Sequence, residues 1–423
     1  MKILELAYED KATGWKLNPV QFSDLNLLVG VSGVGKTKIL KAILKIKAIA
    51  KGFRYRGIKW SIRFLTIDQV EYQWEGEFDF GNTENQRQNV DKSENKFSKI
   101  ASEEDESDFP NPKIIYESLS HNKQESPLSI QRKQETITFN NENVIVKLSQ
   151  KQSLISLFNG EEDVKILSKE FSLIKISQAA LFEDDAFRSN TDEEYENGFS
   201  GFKGFNRNSV LFKKVTFEDY QQCSKDLMDS EILSLIQNER ISMKGKLVLS
   251  AFLVPKYFRE ITTKFKEIFP SIEKVEVYAS EFIGFGELTL EIKFKEKHSE
   301  RSISQVEVSS GMLKTLLHLS ELYFSLPGSV ILIDEFENSL GVNCLDAVTE
   351  DINDSPNQLQ FIITSHHPYV INNIRPSHWK IVTRQGGNVT VKSAEDFHIA
   401  KSRQKAYIDL INVLKDDEQD SGI

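Results

Sequence analysis

This sequence predicts an α/β fold with a mainly parallel core sheet, an antiparallel β subdomain and a short helical insertion, and three observations carry that reading. The apolar run Leu27-Leu28-Val29 leads into Gly30-Val31-Ser32-Gly33-Val34-Gly35-Lys36-Thr37, which has the Gly-x4-Gly-Lys-Thr form of a phosphate-cradling loop set between a strand and a helix. Val330-Ile331-Leu332-Ile333 is a second apolar run and ends in two acids, Asp334 and Glu335, as a buried parallel strand does where it emerges at the carboxyl edge of a sheet. From Ile58 to Phe80 the apolar residues alternate, through Trp60, Ile62 and Phe64 and then Tyr72, Trp74, Phe78 and Phe80. That is the period of a half-buried hairpin.

The first motif implies a nucleoside triphosphate. Several glycines let backbone N–H groups turn inward on phosphate oxygens, and a helix beginning near Lys36 points its positive dipole end at the same anion. Ile39, Leu40, Ile43 and Leu44 recur at helical spacing directly after the loop, which weighs against a chance glycine-rich turn. Lys36 is placed to reach the β- and γ-phosphates and Thr37 to put its hydroxyl on Mg²⁺. The expected nucleotide-binding set in this loop is Gly30, Ser32, Gly33, Val34, Gly35, Lys36, Thr37 and Lys38. In the second motif, Asp334 holds the hydration shell of the metal, so Thr37 and Asp334 are the expected metal residues, and Glu335 can polarise the attacking water as general base. The alternative there is an ordinary strand ending in solvated acids.

The remaining elements follow in chain order. Ile3 to Leu6 and Trp15 to Phe22 read as opening strands ahead of the Leu27 strand. After the hairpin, Gly81 to Glu125 turns to Asn, Gln, Ser, Lys and Glu and includes the acidic run Glu103 to Asp108, the composition of a mobile loop. Strand signals return at Thr136-Ile137-Thr138-Phe139 and Val144-Ile145-Val146, and a helix follows from Ser153 to Phe158. A second acidic stretch runs from Glu183 to Lys203. Helical patterns fill residues 215 to 268, but Pro255 and Pro270 interrupt them and sustained heptads are absent, so no long coiled coil is expected. Val275 to Tyr278 and Leu288 to Phe294, joined through Gly284 and Gly286, read as a hairpin.

Val308-Ser309-Ser310-Gly311-Met312 then opens a helical pattern (Met312, Leu316, Leu319, Tyr323) that stops at Leu326-Pro327-Gly328. After the Asp334-Glu335 strand comes Phe361-Ile362-Ile363-Thr364-Ser365-His366-His367-Pro368, an apolar strand ending in histidine. A helix is expected over Ala400 to Leu414, followed by a polar tail from Asp416 to Ile423. The expected division of the chain is an N-terminal lobe over 1–182, with 81–125 mobile; a helical insertion and hairpin over 183–300; a C-terminal lobe over 301–396; and a helix and tail over 397–423.

The order of phosphate loop, Ser-Ser-Gly helix, Asp-Glu strand and His strand resembles the ATP-binding-cassette class of head domains, as in SMC, RecF and OLD-type proteins. The resemblance implies ATP and Mg²⁺ as cofactors. It also implies a head-to-head homodimer in which Ser309, Ser310 and the Gly311 backbone meet the γ-phosphate held by the opposite subunit. Glu337 to Gly341 stands in the place of the loop that lines the dimer seam, and His366 in that of the switch histidine, with His367 a bystander. The resemblance thus makes Glu335, His366 and Lys36 the catalytic residues. Gln178 is the choice for the glutamine loop, with Gln69 its competitor. The signature reads Ser-Ser-Gly-Met where many transporters have Ser-Gly-Gly-Gln, and Ser32 stands where RecF-like heads often have asparagine. A compact head without coiled coil, membrane domain or nuclease constellation resembles the ATPase subunits of bacterial antiphage defence systems of the PARIS and Septu kinds, in which a separate nuclease or toxin chain is the effector.

Composition narrows the alternatives. With 39% hydrophobic and 27% charged residues, no run of about twenty apolar residues and an N-terminus that turns acidic by Glu9-Asp10, a cytoplasmic protein with no membrane segment is expected. Two cysteines, Cys223 and Cys344, suit a reducing compartment and no metal knuckle. A net charge of −10 argues against a surface broadly coated for DNA. Lys38, Lys41 and Lys45 form one basic stripe at i, i+3 and i+7, open to DNA contact or to plain solvation, with no aromatic interleaved in it. The alternative reading is therefore a RecF-like repair clamp that binds DNA directly; a transporter subunit ranks third.

Overall fold

The computed structural model describes residues 1–80, 112–121, 123, 127–133, 136–140, 142–144, 151–177, 243–281, 288–337, 358–399 and 403–421. The expectations for Gly81 to Asn111, for the acidic stretch 183–203, for Gln178 and for 338–341 lie outside these residues. By packing, the chain divides into two units. One comprises Met1–Lys175, Pro327–Asp334 and Gln358–Ile423, and the other Ile176–Leu326 and Glu335–Asn357.

The first unit is built on one mixed sheet. Its strands are β1 (Lys2–Asp10), β2 (Trp15–Gln21), β3 (Leu25–Val29), β4 (Ile58–Leu65), β5 (Glu71–Phe78), β6 (Ile114–His121), β7 (Leu128–Lys133), β8 (Thr136–Phe139), β9 (Glu142–Val144), β10 (Ile174–Ile176), β14 (Val330–Ile333), β15 (Gln360–Thr364), β16 (Trp379–Gln385) and β17 (Asn388–Ser393). The spatial order is β10-β14-β15-β3-β16-β17-β2-β1-β4-β5-β6-β7-β8-β9. Strands β14, β15, β3 and β16 run parallel; from β1 outward to β9 every pairing is antiparallel. The parallel strands β3, β14 and β15 are buried at every position, which is why they read as continuous apolar runs, whereas β4 and β5 alternate.

Side chains stitch strands that are distant in sequence. The buried Gln360 amide accepts from Ile3 N at 2.8 Å and donates to Ile3 O and Ser23 O, each at 2.8 Å, and Asn26 Nδ2 donates to Phe361 O at 3.0 Å. Helix α1 (Lys36–Ala50) buries Ile39, Leu40, Ile43, Ile46 and Ile49, the apolar stripe that its spacing predicts. The aromatic residues of the β4–β5 hairpin form core: Trp60 and Trp74 meet at 5.3 Å between ring centroids, and Phe64 stacks on Tyr72 at 5.6 Å.

The loop expected up to Glu125 is corrected at its end, where β6 pairs with β5 and β7 through Ile114 to His121. The residues that β6 buries are Ile114, Glu117, Leu119 and His121, so two polar inward positions mask the period-two signal. The same masking hid β7, whose inward residues are Leu128, Ile130 and Arg132. Glu117 and Arg132 stand directly opposite each other across the two strands, 3.7 Å apart and almost wholly buried. Trp74 Nε1 and Leu154 N donate to Glu117 Oε1 at 2.8 Å, and Arg132 donates to Gln152 O at 2.9 Å. Burial pushes the Glu117 carboxyl up to about 7, with the Arg132 charge and the two N–H donors opposing that rise. Two helices follow, α2 (Leu154–Leu157), capped by Ser153, and the unforeseen α3 (Glu162–Ser172).

The second unit contains α4 (Met243–Leu253), α5 (Pro255–Ile268), β11 (Ile272–Glu281), β12 (Leu288–Glu296), β13 (Ser302–Ser304) and α6 (Ser310–Phe324). Pro255 occupies the first turn of α5, where its missing N–H costs nothing, and so separates α4 from α5 as expected. The β11–β12 hairpin is antiparallel and shares a core with the helices through Ile261, Phe265, Ile292, Phe294, Leu316 and Leu319. In the first unit, α7 (Pro368–Asn373) follows β15, and α8 (Arg403–Ser421) ends the described chain. The polar tail expected from Asp416 is helical through Ser421, an extension of the helix anchored by buried Ala406 and Leu410. Among the described residues no helix is long and apolar enough to cross a membrane.

The Glu117–Arg132 pair yields a stability prediction. Glu117→Leu strands a buried guanidinium and should cost about 3–5 kcal/mol. Adding Arg132→Met should recover part of that loss. Urea titration of both variants checks this, and a double variant no more stable than Glu117→Leu would contradict the pairing.

Candidate functional site

The phosphate loop leaves β3 at Gly30, where a Cβ would stand 2.5 Å from Val382 O of β16, so the close approach requires glycine. Gly33 and Gly35 take left-handed φ values of +86° and +108°. Gly35 stands at the N-terminus of α1 with no side-chain cap, at the positive end of the helix dipole. Lys36 Nζ donates to Gly30 O at 2.7 Å and Val31 O at 3.0 Å, folded over its own loop at the level where phosphate oxygens bind in loops of this form. Ser32 and Lys38 are exposed, whereas Val34 is buried under the loop.

The parallel register brings the other chemistry to the same edge. Ile333 pairs with Ile363, and Thr364 with Leu28, so Asp334, Thr364 and the phosphate loop all leave the sheet at its carboxyl end. Thr37 Oγ1 donates to Asp334 Oδ1 at 3.0 Å, and Thr364 Oγ1 donates to the same oxygen at 2.6 Å. A carboxylate beside a hydroxyl is an all-oxygen donor set that fits a hard cation such as Mg²⁺.

Sequence reasoning missed two residues here. Thr364 reads in the sequence as part of an apolar strand, and its position one residue past the apolar run, level with the Asp-Glu end of β14, is the available signal. Arg384, whose Nη1 donates to Gly33 O at 3.2 Å, arrives from a C-terminal hairpin and carried no sequence signal.

The other expected site residues lie on several further elements. His366 is exposed after β15, while His367 caps α7 by accepting from Tyr369 N at 3.2 Å. Ser309 caps α6, accepting from Met312 N at 3.3 Å; Ser309 and Ser310 are exposed and Gly311 is half-buried. These three and Glu335 belong to the second unit. Glu335 is exposed and adopts a left-handed φ of +47°, uncommon for a residue with a Cβ and concentrated at functional sites. Gln69 lies in the β4–β5 turn with φ +61°.

Within the second unit α6 carries a buried polar cluster. Ser177, just after β10, donates to Glu321 Oε2 at 2.5 Å and lies 3.4 Å from His318 Nδ1, and the His318 ring meets Phe336 at 5.9 Å. Burial, aided by the Lys314 charge one turn away, pushes His318 down to about 4.

A strand–phosphate loop–helix unit with an acid-tipped parallel strand two positions away in the same sheet defines a P-loop nucleoside triphosphatase. More narrowly, residues 154–372, just over half the chain, match the family described as "AAA domain, putative AbiEii toxin, Type IV TA system", and the chain belongs to that family of AAA ATPase domains. The matched stretch contains Ser309, Asp334, Glu335 and His366 and starts after the phosphate loop. Among solved structures, an Smc head bound to the C-terminal winged-helix domain of ScpA is 14% identical, with 93% of this chain and 97% of that chain covered and a TM-score of 0.41. An Smc head with an extended coiled coil, bound to the C-terminal domain of ScpA and derived from Pyrococcus furiosus, is 15% identical, with 97% and 99% covered and a TM-score of 0.39. At these scores neither likeness bears on function. No curated protein matches the sequence.

The His318 cluster gives a pH prediction. Folded His318 takes its proton only near pH 4, whereas unfolded it does so near 6.5, so its contribution is present above the unfolded value and is lost as pH falls toward 4. Between about pH 7 and pH 5 that loss is roughly 2 kcal/mol. His318→Gln should show a correspondingly flatter pH dependence of unfolding free energy, measured by urea titration at the two pH values.

Proposed function

We propose that this chain is the ATPase subunit of a bacterial antiphage defence complex. It binds ATP with Mg²⁺, hydrolyses it at a composite site formed by two copies arranged head to head, and thereby controls a separate nuclease or toxin chain in the cytoplasm. The observation that carries the nucleotide reading is the convergence of Lys36, Thr37, Asp334 and Thr364 at one sheet edge, two of them donating to a single Asp334 oxygen. The family's description as a putative toxin of a type IV toxin–antitoxin system supports an effector-linked role over transport.

In this reading the loop amides from Gly30 to Gly35 and the α1 amides bind the phosphates, with Lys36 turning from Gly30 O and Val31 O to the β/γ oxygens. Thr37 and Asp334 hold Mg²⁺, which supplies charge neutralisation of the phosphates when bound. Thr364 orients the Asp334 carboxylate, and Arg384 holds the loop crown through Gly33 O. Glu335 accepts a proton from the attacking water, His366 faces the γ-phosphate, and Ser309, Ser310 and the Gly311 amide of the second copy close the site. The start of α6 is suited to that part, because its orphan amides and exposed serine hydroxyls favour an anion. Gln178 completes the proposed set. Two symmetric sites imply a C2 dimer or an assembly built from such dimers.

Two measurements test the reading. Glu335→Gln should retain ATP binding while hydrolysis slows by about 10²–10⁴-fold, and a turnover near that of the unsubstituted chain would remove Glu335 from the mechanism; Lys36→Ala should abolish binding, and full affinity would overturn the nucleotide assignment. Thr364→Val should raise the Mg²⁺ concentration for half-maximal turnover by about 10–100-fold, read from a magnesium titration of ATPase rate.

A further inference from the structure

Between Asp24 and Asp68 the chain carries ten Lys and Arg and no Asp or Glu, although acids outnumber bases 63 to 53 overall. Part of that charge is used internally. Lys36 folds over the phosphate loop, Lys47 donates to Ser172 O and Ile174 O at 3.2 and 2.6 Å, and Arg63 pairs with Glu5 and Glu71. Lys38, Lys41 and Lys45 lie on the α1 stripe and Lys59 on β4, and the turn that follows α1 reads Lys51-Gly52-Phe53-Arg54-Tyr55-Arg56-Gly57, in which cations and aromatics interleave.

The fold brings the two segments together, since Lys45 Nζ stands 5.5 Å from the Tyr55 ring centroid. Lys45 also pairs with Asp10 at 3.7 Å, which marks one border of the surface. The turn is held by its backbone: Gly52 N donates to Ile49 O and Phe53 N to Ala48 O, both at 3.0 Å, with Gly52 at φ +97°. Gly57 N donates to Asp79 O at 2.9 Å, and the Arg56 guanidinium lies 5.7 Å from the Phe80 ring centroid. Phe53 is 63% exposed, and Lys41 on α1 and Lys51 at its end are exposed as well.

We propose that this surface binds single-stranded nucleic acid, with Phe53 as a platform for an unpaired base and Lys41, Lys51 and Arg56 on the phosphates. Exposed cations alone would attract any polyanion. An exposed phenylalanine among them adds an apolar face that a base can cover once its own face is free, which a duplex denies. An acidic protein segment would use the cations and leave Phe53 without a partner. The site is separate from the nucleotide loop and does not depend on the ATPase reading.

The test is fluorescence anisotropy of the full chain with labelled poly-dT, poly-rU and mixed-sequence duplex of about 30 nucleotides or base pairs, at about 50 and 200 mM salt, with polyglutamate as competitor. Binding of a single strand that weakens with salt is expected, and Phe53→Ala should reduce that affinity about 5- to 150-fold with thermal unfolding and basal ATP turnover unchanged. Lys51→Gln with Arg56→Gln should flatten the salt dependence. Equal single-strand affinity in Phe53→Ala, duplex bound as tightly as single strand, or displacement by polyglutamate as effective as by oligonucleotide would each overturn the proposal, as would no binding at low salt.

Discussion

The parallel pairing of β14, β15 and β3 is the constraint on which the rest of this molecule depends. Residues more than three hundred positions apart must meet in one register, Phe361 opposite Leu25, and Ile333 must stand opposite Ile363. A one-residue slip would turn every side chain to the other face and take Asp334 and Thr364 away from Thr37. The register is secured by polar side chains inside an otherwise apolar layer. Gln360 satisfies three backbone groups of β1 and the β2–β3 turn, and Asn26 bridges to Phe361 O. A shifted pairing would leave those buried amides without partners, at about 1–3 kcal/mol each. Specificity of register is thus concentrated in two amides, while the apolar residues around them supply stability.

The antiparallel half follows the same logic with charge in place of amides. Glu117 and Arg132 face each other in the core, and a carboxylate oxygen collects the Trp74 indole and the Leu154 amide. The outer strands are thereby bound to α2, which packs against α1. The platform supporting the phosphate loop therefore extends through a buried polar network well beyond the nucleotide loop itself.

The residues of the candidate site are divided between the two units. Lys36, Thr37, Asp334 and Thr364 are held together by strand register and hydrogen bonds within the first unit. Ser309 to Gly311 and Glu335 belong to the second, and the boundary falls between Asp334 and Glu335, where the backbone takes its left-handed turn. Under the proposed mechanism, ATP would be the element both parts recognise, which suits a protein that reports nucleotide state to another chain. The cationic turn after α1 shows why net charge is a poor guide to surface chemistry. An overall excess of acid coexists with a long stretch free of it, and the missing aromatic of the lysine stripe is supplied by residues that the fold folds back beside it.

The sequence by itself determined the strand–loop–helix around Lys36, the acid-tipped β14, the helix that opens after Val308 and the proline break at Pro255. Each of these rests on short-range chemistry: glycines at positive φ, runs apolar enough for a strand buried on both faces, apolar residues at helical spacing, a ring that cannot donate. The alternating Trp60 to Phe78 hairpin was legible for the same reason. Only the tertiary structure decided what long-range pairing controls. Strands β6 and β7 were hidden because their inward positions carry Glu117, His121 and Arg132, which read as solvent-facing until their partners are in view. Thr364 and Arg384 gained their places beside Asp334 and Gly33 through strand pairing across most of the chain, and no local pattern encodes a neighbour that distant.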